Sequence, residues 1–259
     1  MCKTCGCAVT PENSTRPSDS IGFRPVIADV IQDILAENNR TAMHNREHFD
    51  QHGLLAINLM SSPGAGKTAL LEATIDALKR KYRIAVIEGD LETENDAMRI
   101  RAHGIPALQI TTGTACHLDA NLVHEALHDL PLAGVDLLFI ENVGNLVCPA
   151  GFDLGQHLNV TLLSVAEGDD KPSKYPVIFR ASDLVVLSKT DLLDVLDDFN
   201  PERAAAALRD LGGDIPMIHT AARRIPSIGS WLGWLESQIE VRRRPYSFVR
   251  HPLGVRLRA

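Results

Sequence analysis

Short apolar runs recur along the chain from residue 54 onward, at 54–60, 83–89, 107–112, 136–142, 160–166, 184–189 and 215–220. Stretches with helical spacing separate most of them, among them KTALLEATIDALKR and ANLVHEALHDL. Continuous apolar runs, rather than alternation, mark strands covered on both faces, as parallel sheets are. The pattern predicts an α/β fold with a doubly wound, mostly parallel sheet of about seven strands. Ahead of the sheet, Val26, Ile27, Val30, Ile31, Ile34 and Leu35 fall at helical spacing, and Pro25 suits a first helical turn. Four segments are therefore expected: a flexible, Cys-bearing N-terminal segment over 1–20, a helix within 21–52, the sheet domain over 53–241 and a basic tail over 242–259. A last helix is expected over 227–241. The tail holds six arginines and no acid, and a solvated end is its simplest reading.

Composition narrows the classes. The chain has 259 residues, 45% of them hydrophobic, enough for one large core. It has no apolar run long enough to span a bilayer, and its N-terminus, MCKTCGCAVT, lacks a signal-peptide pattern. A cytoplasmic location is expected. The net charge of −7 argues against nucleic acid or a membrane as partner.

The chemistry begins where the first apolar run ends. Residues 61–68 read SSPGAGKT and are followed by a helical segment, which is the strand–loop–helix setting of a phosphate loop. Backbone N–H groups of Gly64, Ala65 and Gly66 would face phosphates at a helix start, where the dipole favours negative charge. Lys67 would reach the β- and γ-phosphates, and the Thr68 hydroxyl would ligate Mg²⁺. Ser61 stands where the strict pattern has glycine.

Later strand ends suggest the base and the switch. Ser188-Lys189-Thr190-Asp191 resembles the guanine-reading motif of GTPases, with Ser188 in place of the usual Asn. The Asp191 carboxylate can accept from the guanine ring N–H and amine, a donor pair adenine lacks. The Lys189 stem would cover the base, and Thr220-Ala221 could add a weaker contact. Asp90, ending the 83–89 run, could hold Mg²⁺ or orient the attacking water. Glu141 would take the Walker B place, and Gly144 could free the following segment to move.

The five cysteines fall into two groups. Cys2, Cys5 and Cys7 crowd the N-terminus, and three thiolates on so short a segment read as a metal site. Cys116-His117, expected to open a helix, and Cys148 leave the same sheet end as the phosphate loop and can converge on a second site. Incomplete ligand sets would be completed by a homodimer. His44, His48 and His52, and likewise His124 and His128, recur at one-turn spacing. Solvated helix faces are their simplest reading, with His124 and His128 the better auxiliary ligands.

Taken together, CxxCGC, PGAGKT, GDLETENDA at 89–97, ACH at 115–117, ENVGNLVCP at 141–149 and GDDKPSKYP at 168–176 resemble the hydrogenase nickel-incorporation GTPase family, HypB. The resemblance covers the chain up to about residue 240. It implies a P-loop NTPase fold of the SIMIBI type and slow hydrolysis of GTP to GDP. It implies a nickel metallochaperone with a tight Ni²⁺ site on Cys2, Cys5 and Cys7. Cys116, His117 and Cys148 would hold Ni²⁺ or Zn²⁺ at a GTP-linked dimer interface. The implied partners are a nickel-handling accessory chaperone and a hydrogenase large-subunit precursor. No histidine precedes His44, which argues against nickel storage. The alternatives are a urease-type nickel accessory GTPase and, further off, a P-loop kinase for a small molecule.

Overall fold

The structure is a computed structural model, and it describes residues 23–91, 94–222 and 225–243. The CxxCGC segment, Glu92 and Thr93, and the tail beyond Arg243 lie outside the described residues. Seven strands form one all-parallel sheet: β1 (Leu55–Ser61), β2 (Ile84–Asp90), β3 (Ala107–Thr111), β4 (Leu137–Glu141), β5 (Leu158–Ser164), β6 (Leu184–Ser188) and β7 (Met217–His219). Their spatial order is β3-β2-β4-β1-β5-β6-β7. Each parallel neighbour requires a crossover, and helices supply most of them: α2 (Lys67–Leu78), α3 (Asn95–Ala102), α4 (Ala120–Asp129), α5 (Lys171–Lys174), α6 (Pro176–Arg180) and α7 (Pro201–Asp210). The long α1 (Phe23–His52) precedes β1 and α8 (Gly229–Arg243) ends the described chain.

Successive strand residues point to opposite faces, so strands covered on both faces are mostly apolar. β1, β4 and β6 are buried at every position. Leu55, Ile57 and Leu59 face Leu71 and Ile75 of α2 and Trp231, Leu235 and Ile239 of α8. Ala56 on the other face meets Phe49 of α1 and Val123 and Leu127 of α4. Farther along that sheet, Leu163, Val185 and Leu187 pack with Phe179 of α6 and Leu208 of α7.

Polar side chains fix the docking of α1. Asn38 Nδ2 donates to the Asp153 carbonyl, and its Oδ1 accepts from the Ala120 N–H. Arg46 donates to both carboxylate oxygens of Asp153. These bonds satisfy the first turn of α4 and the 153–156 loop at once.

Several boundaries shift from the sequence reading, each for a local reason. The helix expected to open at Cys116 starts at Ala120, because the Asp119 side chain caps it by accepting from the Leu122 N–H at 2.9 Å. The fifth strand ends at Ser164 instead of running to residue 166. The Ser164 hydroxyl accepts from the Ala166 N–H and turns the chain into a short 3₁₀ turn. Arg242 and Arg243, expected in the tail, belong to the last turn of α8 and pair with Asp50 and Asp136.

Candidate functional site

The site lies at the carboxyl ends of the strands, where ligands gather in such sheets. β1 delivers the loop 61–66 and α2 begins directly after it. Gly64 (φ +75°) and Gly66 (φ +100°) take left-handed backbone that a side chain would strain. Gly66 is the N-cap of α2 and offers no side-chain acceptor, so the first N–H groups of the helix remain open to an anion. A cavity of about 390 Å³ opens there, lined by the loop, by Asp90 and Asp96, and by Glu141 to Gly144.

Lys67 and Thr68 are buried at its floor. Lys67 Nζ donates to Ser61 Oγ at 2.9 Å and lies 3.8 Å from Glu141 Oε1. Thr68 Oγ1 donates to the same Glu141 oxygen at 3.0 Å. The serine that replaces the first glycine thus serves as the acceptor for the loop lysine. Asp90 ends β2 at the rim of the cavity.

Glu88 is the residue that the sequence reading missed. It pairs in register with Glu141 on the adjacent strand and is buried beside it. Burial, and then the Glu141 carboxyl, push Glu88 well above the usual carboxylate range, so the pair retains a proton at neutral pH. Burial also raises Glu141, with Lys67 opposing it. Two adjacent buried carboxyls cannot both ionise cheaply. The available signal was a second carboxylate two residues before Asp90, directly after the apolar run IAVI. Arg99 was also passed over; it lines the cavity while paired to Glu72 and Asp96.

A second cavity, about 320 Å³, adjoins the loop and is lined by Ser188, Lys189, Asp191 and Thr220 together with Ala65 and Ala69. β6 is tied to the phosphate loop there. Ser188 Oγ donates to the Ala65 carbonyl at 2.7 Å, and Lys189 Nζ donates to the Gly64 carbonyl at 2.7 Å. Lys189 takes left-handed backbone (φ +57°), uncommon for a residue with a side chain. The Ala221 N–H donates to Ser227 Oγ, and Ala222 lines this cavity where Ala221 does not.

On the other flank, Cys116, His117 and Cys148 come together, with one donor atom of each within 4.8 Å of the others. Cys116 Sγ lies 2.8 Å from Cys148 Sγ and 3.6 Å from His117 Nδ1, and no disulfide joins the two cysteines. His117 is buried and stacked on Phe152, and burial holds it below the ordinary imidazole range. Two thiols and a neutral imidazole make a donor set for a borderline-soft cation with a coordination position left over.

The two sites share a strut. The Asn142 carboxamide oxygen accepts from the Leu118 N–H and from its own neighbour Val143 N–H. Asn145 Nδ2 donates to the Cys116 carbonyl. Gly144 lies so close to the loop that a Cβ there would stand 2.9 Å from Pro63 Cα. The segment running from Glu141 to Cys148 therefore touches phosphate loop and thiols alike.

Residues 55–218 match the model of the CobW/HypB/UreG nucleotide-binding domain. The chain is 54% identical to the hydrogenase maturation factor HypB of Azotobacter vinelandii, over 82% of this chain and 70% of that protein. The chain belongs to the HypB family. Among solved structures, HypB from Helicobacter pylori in complex with nickel aligns with a TM-score of 0.76 and 38% identity, over 81% of this chain and 98% of that one. HypB from Archaeoglobus fulgidus aligns with a TM-score of 0.74 and 38% identity, over 79% of this chain and all of the other. Membership accounts for the sheet order and the phosphate loop together: this is a nucleotide-binding domain of a hydrogenase maturation factor family. No helix among the described residues is long and apolar enough to cross a membrane.

Proposed function

We propose that the protein is a nickel-handling GTPase whose nucleotide state sets the metal affinity of Cys116, His117 and Cys148 in the maturation of [NiFe]-hydrogenase. The observation that carries this reading is the strut from Glu141 to Cys148. One end holds Thr68 by a hydrogen bond, and the other carries a thiol of the Cys/His cluster. A shift at the phosphates then reaches the thiols through Gly144, Asn145 and the Cys116 carbonyl.

In this reading Lys67 stabilises charge on the β- and γ-phosphates, and Asp90 orients the attacking water. Thr68 and Asp90 would hold Mg²⁺, which when bound neutralises phosphate charge. The Thr68 hydroxyl already faces the carboxylate of Glu141, as suits a cation-binding group. Asp191, with Lys189 and Thr220 beside it, selects guanine. Nickel is cargo: Cys2, Cys5 and Cys7 capture it, and Cys116, His117 and Cys148 pass it on or bind Zn²⁺ as a regulator. Three ligands per chain leave room for a second copy, so a homodimer completes the sphere. A nickel-handling chaperone upstream and a hydrogenase large-subunit precursor downstream are the partners this role requires. Kinase activity on a small molecule would leave the thiol cluster without a purpose.

The deciding measurement is Ni²⁺ affinity of the purified chain with GTP, with GDP and without nucleotide, alongside GTP and ATP hydrolysis. Coupling is reciprocal, so nickel must shift GTP affinity by the factor GTP shifts nickel affinity. Equal affinities in all three states, or a Cys116→Ala variant that keeps the nucleotide response, would end this reading. Turnover of ATP as fast as GTP would overturn the guanine assignment.

A further inference from the structure

Two histidine series far apart in sequence meet on one surface. α1 carries His44, His48 and His52, each one turn from the next, and α4 carries His124 and His128 at the same spacing. The packing of α1 on α4 joins them. The ring centroids of His44 and His124 lie 5.1 Å apart, those of His124 and His128 5.1 Å, and those of His48 and His52 4.8 Å. His48 stands close enough to feel the charge of all four others.

The tautomer of His124 follows from its neighbour. Asn45 is fully buried, and its Nδ2 donates to the Ala120 carbonyl at 2.9 Å and the Leu154 carbonyl at 3.1 Å. Its Oδ1 is therefore the acceptor that faces His124 Nδ1 at 3.0 Å. His124 must carry its proton on Nδ1, which leaves Nε2 with a lone pair. An imidazole anchored through one N–H to a protein oxygen and basic at the other nitrogen is the usual state of a metal-ligating histidine. Neutral imidazoles are good ligands for nickel, zinc and copper.

We propose that His44, His124 and His128 form an imidazole site for a divalent transition-metal ion, distinct from the Cys116–His117–Cys148 cluster, with His48 beside it. The one-turn spacing of His124 and His128 lets both rings reach one ion from a single helix face. His44 supplies a third ring from the facing helix. His44 and His128 are exposed and His124 is half-buried, so ions in solution reach them. Glu125, next in sequence, adds negative charge that favours a cation. The site sits on the helix that begins just after His117, one to two turns beyond its capped start.

The test uses the full chain with all five cysteines replaced by serine, so that metal binding reports the imidazoles. Equilibrium dialysis against Ni²⁺ is expected to show a stoichiometric site that persists in this chain. Adding His124→Gln and His128→Gln should weaken it by roughly tenfold or more, and His44→Gln by less. Far-UV circular dichroism and nucleotide binding confirm that each variant is folded. In the unaltered chain, Ni²⁺ should protect His44, His124 and His128 from carbethoxylation, mapped by mass spectrometry. A cysteine-free chain that binds no more nickel than its triple histidine variant would overturn the proposal. Unchanged carbethoxylation of the three rings would do the same. Neither readout depends on GTP hydrolysis, so this site and the proposed switch stand or fall separately.

Discussion

Replacing Gly144 by alanine places one methyl group where the segment leading to Cys148 touches the phosphate loop. The added Cβ would meet Pro63 Cα at 2.9 Å and Pro63 N at 3.0 Å, about 0.5 Å inside the 3.4 Å where ordinary van der Waals contact begins. The obstacle is backbone, so no side chain can swing away. Overpacking of this kind costs about 1–3 kcal/mol. The strain is relieved most easily by displacement of the 142–147 segment and the phosphate loop, since β1 and β4 behind them are buried along their length. The cost then falls on ligand binding, and guanine-nucleotide affinity is expected to drop by about 5- to 150-fold. The melting temperature should fall by no more than a few degrees. Titration with a fluorescent GTP analogue and thermal unfolding by circular dichroism measure the two quantities on the same samples. Wild-type affinity in Gly144→Ala would refute the reasoning. A large loss of melting temperature with unchanged affinity would show that the segment is rigid and the strain global.

Three further outcomes follow from single contacts. The Nδ1 atom of His157 accepts from the Ala56 N–H at 2.9 Å, and burial, then Arg46, hold this imidazole down to about 4. Its folded value lies below its unfolded one, so its stabilisation is complete above pH 6.5 and is lost as pH falls from 6.5 to 4. Thermal unfolding across that window should show a loss of up to about 3 kcal/mol that His157→Asn largely removes, and an identical slope in the variant would sink the assignment. Asp191→Ala should lower GTP affinity by about 10- to 150-fold and leave ATP affinity unchanged, as competition binding would show; equal losses for both nucleotides would mean Asp191 does not read the base. Trp231 is fully buried with its Nε1–H donating to Thr74 Oγ1 at 2.8 Å, so Trp231→Phe should cost about 1–3 kcal/mol in urea unfolding with nucleotide affinity intact.

Much of the fold was legible because its signals are local. Strands buried on both faces read as mostly apolar runs, and each expected apolar run became a strand. The phosphate loop was legible because its glycines and its helix start are contiguous. Boundaries moved where a single side chain overruled the period, as Asp119 did for α4 and Ser164 for β5. Glu88 escaped notice because nothing in IAVIEGD says which carboxylate will stand next to it.

The order of apolar runs and the contiguous loop motif determined by themselves an α/β nucleotide-binding chain with cysteines near one end of its sheet. The tertiary structure decided which of those groups meet. Inserting β4 between β2 and β1 set Glu141 beside Glu88 and above Thr68. The same crossover carried Cys148 to Cys116, and the docking of α1 on α4 merged two histidine faces into one. Hydrophobic period and turn chemistry act over a few residues, whereas proximity across a sheet depends on strand order, which no single segment encodes.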